Sequence, residues 1–316
     1  MRTLAKAVLG ALLSWLARFS PRKVGVALLY HGIADDQRAR RDVLVPSMPP
    51  ALFASQLALL THHYKLVPAS ALLAAIAARR LGGRIPVGIT FDDDDHTHPT
   101  TAARALKDAG APATFFVNAE SLDDPRPLWW QQLQRAWDKR AIDTELLAMV
   151  RLPPGPDRHR LGLIGSAITQ LRPDQRERVR SALRDRAGDD PELDGLSREE
   201  LQTLAAAGFE LGCHTTHHDF LPVLTPEELD ESVRSGRDDV EEVAGRPVRV
   251  FAYPSGGWDA AARDAVERAG YSAAFTAHGG LITRDSDRLA LPRISPPMGN
   301  TAELSYVIGR TLWEAG

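Results

Sequence analysis

Val87-Gly88-Ile89-Thr90-Phe91 runs directly into Asp92-Asp93-Asp94-Asp95 and then His96-Thr97-His98. An apolar, β-branched run of this length reads as a buried strand, and the acids that follow read as a strand exit delivering carboxylates to one rim of a sheet or barrel. Four adjacent carboxylates repel one another, so the same letters also suit an ordinary solvated turn. The other strand exits favour the first reading. Val24 to Tyr30 ends in His31-Gly32, and a strand over 209–213 ends in His214-Thr215-Thr216-His217-His218. Asp and His without partner cysteines form an oxygen and nitrogen ligand set for a metal.

Outward from these exits, strands and helices alternate. Strands are expected at 65–67, 113–117, 248–253, 272–276 and 289–294, and helices at 51–63, 69–80, 100–109, 197–207, 226–244 and 259–269. The rhythm breaks over 123–196, where Trp129-Trp130, many Arg and Asp residues and the Pro153-Pro154-Gly155-Pro156 break indicate a helical insertion. The class is α/β. Polar residues gather at the C-terminal ends of different strands, where parallel barrels and sheets build their sites.

The chain has 316 residues, enough for a barrel-sized body from residue 21 to 316 with an insertion. Its formal net charge of -3, from 38 basic and 41 acidic residues, gives no reason to expect nucleic acid as a partner. The single cysteine, Cys213, excludes an intramolecular disulfide and leaves the cytoplasm open as a location. Residues 1–20 read as an uncleaved amphipathic helix. Arg2, Lys6, Gly10, Ser14 and Arg18 form one row, and Leu4, Val8, Ala11, Trp15 and Phe19 form the opposite face. Such a helix either packs on the body of the protein or makes peripheral membrane contact through residues 2–19.

His214 and His218 are spaced so that both imidazoles can reach one metal, with Asp93 as a carboxylate ligand; His217 competes with its neighbour for that role. Three protein ligands leave room for water and substrate, as in a catalytic site.

Taken together, Thr90-Phe91-Asp92-Asp93, His214 to His218 and Phe251-Ala252-Tyr253-Pro254-Ser255-Gly256 resemble the polysaccharide deacetylase superfamily with its NodB-homology domain. Leu29-Tyr30-His31, Pro112 to Phe116, Trp129-Trp130 and Leu291-Pro292-Arg293-Ile294 extend the resemblance across most of the chain. It implies a distorted (β/α) barrel, and a divalent metal, usually zinc, on Asp93, His214 and His218. It further implies Asp92 as general base and the Ser255 N–H as oxyanion donor. By resemblance to members with a permuted motif order, the implied general acid is His31, with His278 as the alternative. Two positions depart from the family pattern: Asp94 replaces a Gly, which Asp tolerates if the position needs a positive φ, and Ala252 replaces an Arg, for which Arg293 is the expected substitute. The implied reaction is hydrolysis of the N-acetyl group of an amino sugar in a glycan or glycoconjugate. A non-catalytic glycan-binding relative and an amidohydrolase for another small amide are the competing readings. Trp129-Trp130 suits a sugar-stacking wall or the core of the insertion, and the insertion is expected to lie outside the barrel.

Overall fold

A computed structural model describes residues 2–35, 43–122, 125–153, 155, 160–188 and 195–314. Asp123, where the insertion was expected to start, and Pro154 and Pro156 of its internal break lie outside the described residues. Among those described, one sheet runs in the order β7-β6-β5-β4-β3-β1-β8. Its strands are β1 (Val24–Tyr30), β2 (Lys65–Val67), β3 (Pro86–Asp92), β4 (Thr114–Val117), β5 (Glu210–Cys213), β6 (Val250–Ala252), β7 (Ala273–Phe275) and β8 (Ile282–Thr283). β2 shares one edge of β3 with β4, pairing Lys65 to Val67 with Pro86 to Gly88, ahead of the β4 register that begins at Thr90. Pairings from β1 through β7 are parallel; β8 is antiparallel to β1.

The expected strand over 289–294 is instead a pair of bridges. Leu291 N donates to Ala274 O at 2.8 Å, and Ile294 N donates to Ala27 O at 2.8 Å. The segment therefore ties β7 to β1 and closes a distorted barrel. Its proline, Pro292, has no N–H to give to a longer ladder.

β1 and β3 are buried along their whole length because both faces are covered. Outward residues such as Leu28, Ile89, Phe115 and Phe251 form the larger core under α2 (Pro50–His63), α4 (Ala103–Asp108), α9 (Arg198–Ala206), α10 (Pro226–Ala244), α11 (Ala260–Arg268) and α12 (Thr301–Thr311). Inward residues Ala27, Phe116, Val250 and Phe275 form a second core, which α3 (Leu72–Ala78) joins through Leu72 and Ile76. Gly25 makes room for that plug, since a Cβ there would sit 2.8 Å from the Ile76 side chain. Helix starts follow local chemistry. Ser197 with Glu200 and Thr225 with Glu228 form capping boxes, and α10 ends at Gly245 in the left-handed conformation.

The insertion forms α5 (Trp129–Asp138), α6 (Thr144–Met149), α7 (Arg160–Thr169) and α8 (Pro173–Ala187), around a core of its own that includes Trp129, Leu133, Ile164 and Leu183.

The N-terminal helix α1 (Arg2–Arg18) departs from its amphipathic reading. Gly10, Ser14 and Ala17, not the large apolar residues, face the body. The helix packs against α12, which follows the last expected strand, and Ser14 Oγ meets the Tyr64 hydroxyl at 2.8 Å. Backbones meet closely here: a Cβ on Gly10 would lie 2.4 Å from the Ser305 carbonyl carbon. No described helix is long and apolar enough to cross a membrane. Gly10→Leu should force these helices apart and cost about 1–3 kcal/mol, as overpacking usually does; urea denaturation would show it as a lowered midpoint.

Candidate active site

The four carboxylates after β3 are held apart by four different solutions. Asp92 accepts a bidentate pair from Arg293, Nη1 to Oδ1 at 2.6 Å and Nη2 to Oδ2 at 2.7 Å. Asp94 turns away, accepting from the Asn118 N–H at 2.8 Å and from Ser121 Oγ. Asp95 folds back over the exit of β1, accepting from Thr97 N at 2.9 Å. Asp93 takes no such partner, and its Oδ1 is buried without a hydrogen bond.

That orphan oxygen faces two imidazoles. His214 Nε2 lies 3.5 Å and His218 Nε2 3.4 Å from Asp93 Oδ1. The His214 Nδ1 contacts Ala252 O at 2.8 Å, and a carbonyl can only accept, so Nδ1 carries the proton and Nε2 presents a lone pair. Burial lowers the His214 pKa to about 4, and burial with the neighbouring His214 and Arg176 holds His218 well below the ordinary imidazole value. Both rings are thus neutral, and the His214 Nε2 lone pair faces the carboxylate. Burial and the charges of Asp92, Asp94 and Asp95 raise Asp93 well above its ordinary value. Lone pairs converging in a buried spot lack a positive partner, and this is what a divalent cation supplies. The residues fit the metal that the resemblance implies. Asp93, His214 and His218 are the described group able to hold one, with ligand atoms all within 4.8 Å of one another.

Local backbone geometry makes this convergence. Asp93, Thr215, His218 and Ser255 all have positive φ, at 73°, 67°, 52° and 54°. Non-glycine residues hold this conformation only where surrounding contacts fix it. Within the acidic run the positive φ is at Asp93 and not at Asp94, so Asp94 needs no glycine-like backbone. His217 does not join the cluster. Its ring points to Glu120, Nδ1 to Oε2 at 3.4 Å, and its side chain is half exposed.

Arg293 is wholly buried and also donates to Thr276 O at 2.8 Å and Thr90 Oγ1 at 3.1 Å. Burial alone would raise the Asp92 pKa; the charge and hydrogen bonds of Arg293, with His214, outweigh it and hold the group below its ordinary value. His31 follows β1 and lines the same cavity as Asp92, Asp93, His214 and His218. In the structure burial dominates and lowers its pKa, opposed by Asp92 and Asp95, while Asp94 is turned elsewhere. Ser255 lines the cavity from the Pro254–Gly256 turn, and His278 is exposed beyond β7.

The insertion does not stay clear of the site. Trp130, buried in the insertion core, sets its ring 4.6 Å from that of His218. Gly162, Gly165, Ser166 and Thr169 of α7 line the opposite wall of a cavity of about 430 Å³. A second cavity of about 400 Å³ shares His31, Val45, Asp93 and Trp130 with the first and continues past Asp95, Gln131 and Gln134. Sequence reasoning missed Arg176 of α8, which is buried and donates to His218 O at 3.2 Å, His217 O at 3.3 Å and the Asp219 carboxylate. Within an Arg-rich helix nothing in the sequence distinguishes it from its solvated neighbours.

The sequence model of the family described as polysaccharide deacetylase matches residues 82–152 and 159–274, more than half of the chain. The protein belongs to the polysaccharide deacetylase family. YxkH of Bacillus subtilis (strain 168), provisionally named a polysaccharide deacetylase, is 26% identical over 114 residues, 35% of this chain and 41% of its own length. The match thus spans less than half of that curated relative. Among solved structures, the Streptococcus pyogenes deacetylase PplD in complex with acetate aligns with a TM-score of 0.63 at 17% identity, over 90% of this chain and 98% of that one. A polysaccharide deacetylase from Bacillus cereus aligns with a TM-score of 0.59 at 20% identity, over 90% and 69%. IcaB from Ammonifex degensii aligns with a TM-score of 0.56 at 19% identity, over 90% and 97%. At these identities the likeness shows the distorted barrel fold.

Replacing Arg293 by Met leaves the Asp92 carboxylate buried without its partner. Breaking such a pair typically costs about 3–5 kcal/mol, so urea denaturation of chelator-treated Arg293→Met protein should show a loss of that size. A loss under about 1 kcal/mol would mean that Asp92 finds its compensation elsewhere.

Proposed function

We propose that this protein is a divalent-metal-dependent deacetylase, most suited to zinc, that hydrolyses the N-acetyl group of an amino sugar in a glycan or glycoconjugate. One observation carries the reading: an orphan carboxylate oxygen and two neutral imidazole nitrogens converge beside a second carboxylate held ionised by a buried Arg, at the floor of a cavity. A binding module has no use for that combination. Asp93, His214 and His218 hold the metal, which when bound supplies Lewis-acid polarisation and makes nearby water more acidic.

The remaining steps belong to the chain's own residues. Asp92 is the general base and takes the proton of the attacking water. Arg293 occupies one lone pair on each Asp92 oxygen and leaves another on each free to accept. The Ser255 N–H, presented by the turn at φ 54°, donates to the oxyanion as the acetamide carbonyl becomes tetrahedral. His31, whose proton Asp92 and Asp95 favour against the effect of burial, donates it to the departing amine nitrogen and is left neutral. Two cavities meeting at Asp93 and Trp130 favour a substrate that extends to both sides of the scissile acetamide, as a glycan of more than one sugar does.

Acetate release from N-acetylglucosamine oligomers should appear with added zinc and vanish on chelation. Glycan binding with no metal-dependent acetate would instead identify a non-catalytic relative. Asp92→Asn should retain metal and lose at least about 100-fold in turnover, the usual share of a general base; full activity would remove Asp92 from the mechanism.

His31→Ala tests the acid separately. It should hydrolyse an activated ester, whose leaving group needs no proton, far better than the amide relative to the parent enzyme. Equal losses on both substrates would shift the role to His278.

A further inference from the structure

α1 turns its apolar side to solvent. Leu4, Val8, Leu12, Trp15, Leu16 and Phe19 are between 40% and 70% exposed, while Gly10, Ser14 and Ala17 are committed to the body. The patch continues beyond the helix. Gly82 N donates to Arg18 O at 2.8 Å and Arg18 Nη2 returns a bond to Gly82 O at 2.9 Å, which sets the turn carrying exposed Leu81 against the end of α1, where a Cβ on Gly82 would lie 3.6 Å from the Phe19 ring. At the other flank Trp313 donates its Nε1–H to Leu13 O at 3.0 Å, with its ring 44% exposed. A contiguous apolar surface of this kind marks an interaction site.

Charge selects the partner. No Asp or Glu precedes Asp35, and none lies between Val43 and Phe91. The loop against the end of α1 carries exposed Arg80 and Arg84, and Arg22 and Lys23 follow Phe19. Neighbouring acids are each paired: Glu303 with Lys6, Glu314 with Arg310, and Asp285, two residues past the Thr283 that pairs with Val24, with Arg284. The 17 residues of α1 span about 25 Å, too short for a hydrocarbon core of about 30 Å. Its seat on α12 keeps it flat against the barrel flank.

We propose that the outward face of α1, continued by Leu81 and Trp313, is a docking surface for an anionic lipid bilayer. Apolar side chains with two aromatics enter the interface, and the basic rim meets the lipid headgroups. A second copy of the chain fits less well, because a two-fold contact through this face would bring two basic rims together. α1 and α12 run in the same direction, Lys6 beside Glu303 and Leu13 beside Trp313, and α12 follows Ser295, which lines the catalytic cavity. With α1 lying in the interfacial plane, the barrel therefore rests on its side and the rim of strand exits opens laterally.

Flotation of the full chain with vesicles tests this. Protein should float with phosphatidylglycerol-containing vesicles, at least about tenfold more than with pure phosphatidylcholine, and high salt should release it. Leu12→Glu with Trp15→Glu should weaken partitioning at least about tenfold while leaving the thermal midpoint near that of the parent, since both side chains are solvent-exposed. Arg80→Glu with Arg84→Glu, which leaves α1 untouched, should remove most of the preference for anionic lipid. Absence of flotation, or flotation that the α1 variant does not reduce, overturns the proposal. So does light scattering that shows a lipid-free dimer which the same variant converts to monomer, because the face would then belong to a second copy.

Discussion

A buried charge must be compensated where it lies, and the Asp92 carboxylate meets that requirement with a residue two hundred positions away. The guanidinium of Arg293 fills the inner mouth of the barrel, gripping Asp92 at its centre, Thr90 on the same strand and the carbonyl of Thr276 at its far edge. The same short segment hydrogen-bonds to β7 on one side and β1 on the other. Closure of the barrel and orientation of the proposed base are one structural event. Lysine could not replace this residue, since only a planar fork can engage both oxygens and still reach two further acceptors.

The other three acids follow the same constraint. Asp94 finds hydrogen-bond donors just past β4 and Asp95 finds them in Thr97 of its own loop, leaving Asp93 as the carboxylate without one. Repulsion that would make such a run unstable in one environment is relieved by four environments. Burial still raises Asp94 to about 7 despite its donors, so its position, where the family pattern has glycine, carries a carboxyl rather than an obligatory charge.

The insertion makes the site a walled cavity. Trp130 fixes the His218 ring from one side, and Arg176 holds the carbonyls of His217 and His218 from behind, so the left-handed turn at His218 is braced by a helix that is remote in sequence. Ligand geometry on the barrel rim thus depends on packing against the insertion. Access to the cavity and the placement of the His218 ring share these walls, which couples any change in α5 or α8 to both.

Much of the architecture was legible in the sequence because it rests on local rules. Alternation of β-branched runs with capped helices marked the α/β class, and Asp or His directly after several strands marked the rim, because parallel strands deliver their ends to one side. Arg293 was legible as the replacement for the arginine missing at Ala252, through family resemblance rather than spacing. Tertiary structure decided the rest. His217 and His218 are equivalent neighbours as letters, and a positive φ held by Arg176 and Trp130 turns one inward and leaves the other to Glu120. Positive φ falls on Asp93, while Asp94 turns to Asn118 and Ser121 just past β4. The face of α1 was misjudged for a related reason. Periodicity says which residues share a side, but burial depends on what the opposite surface admits, and α12 offers Gly309 and backbone that only small residues can approach.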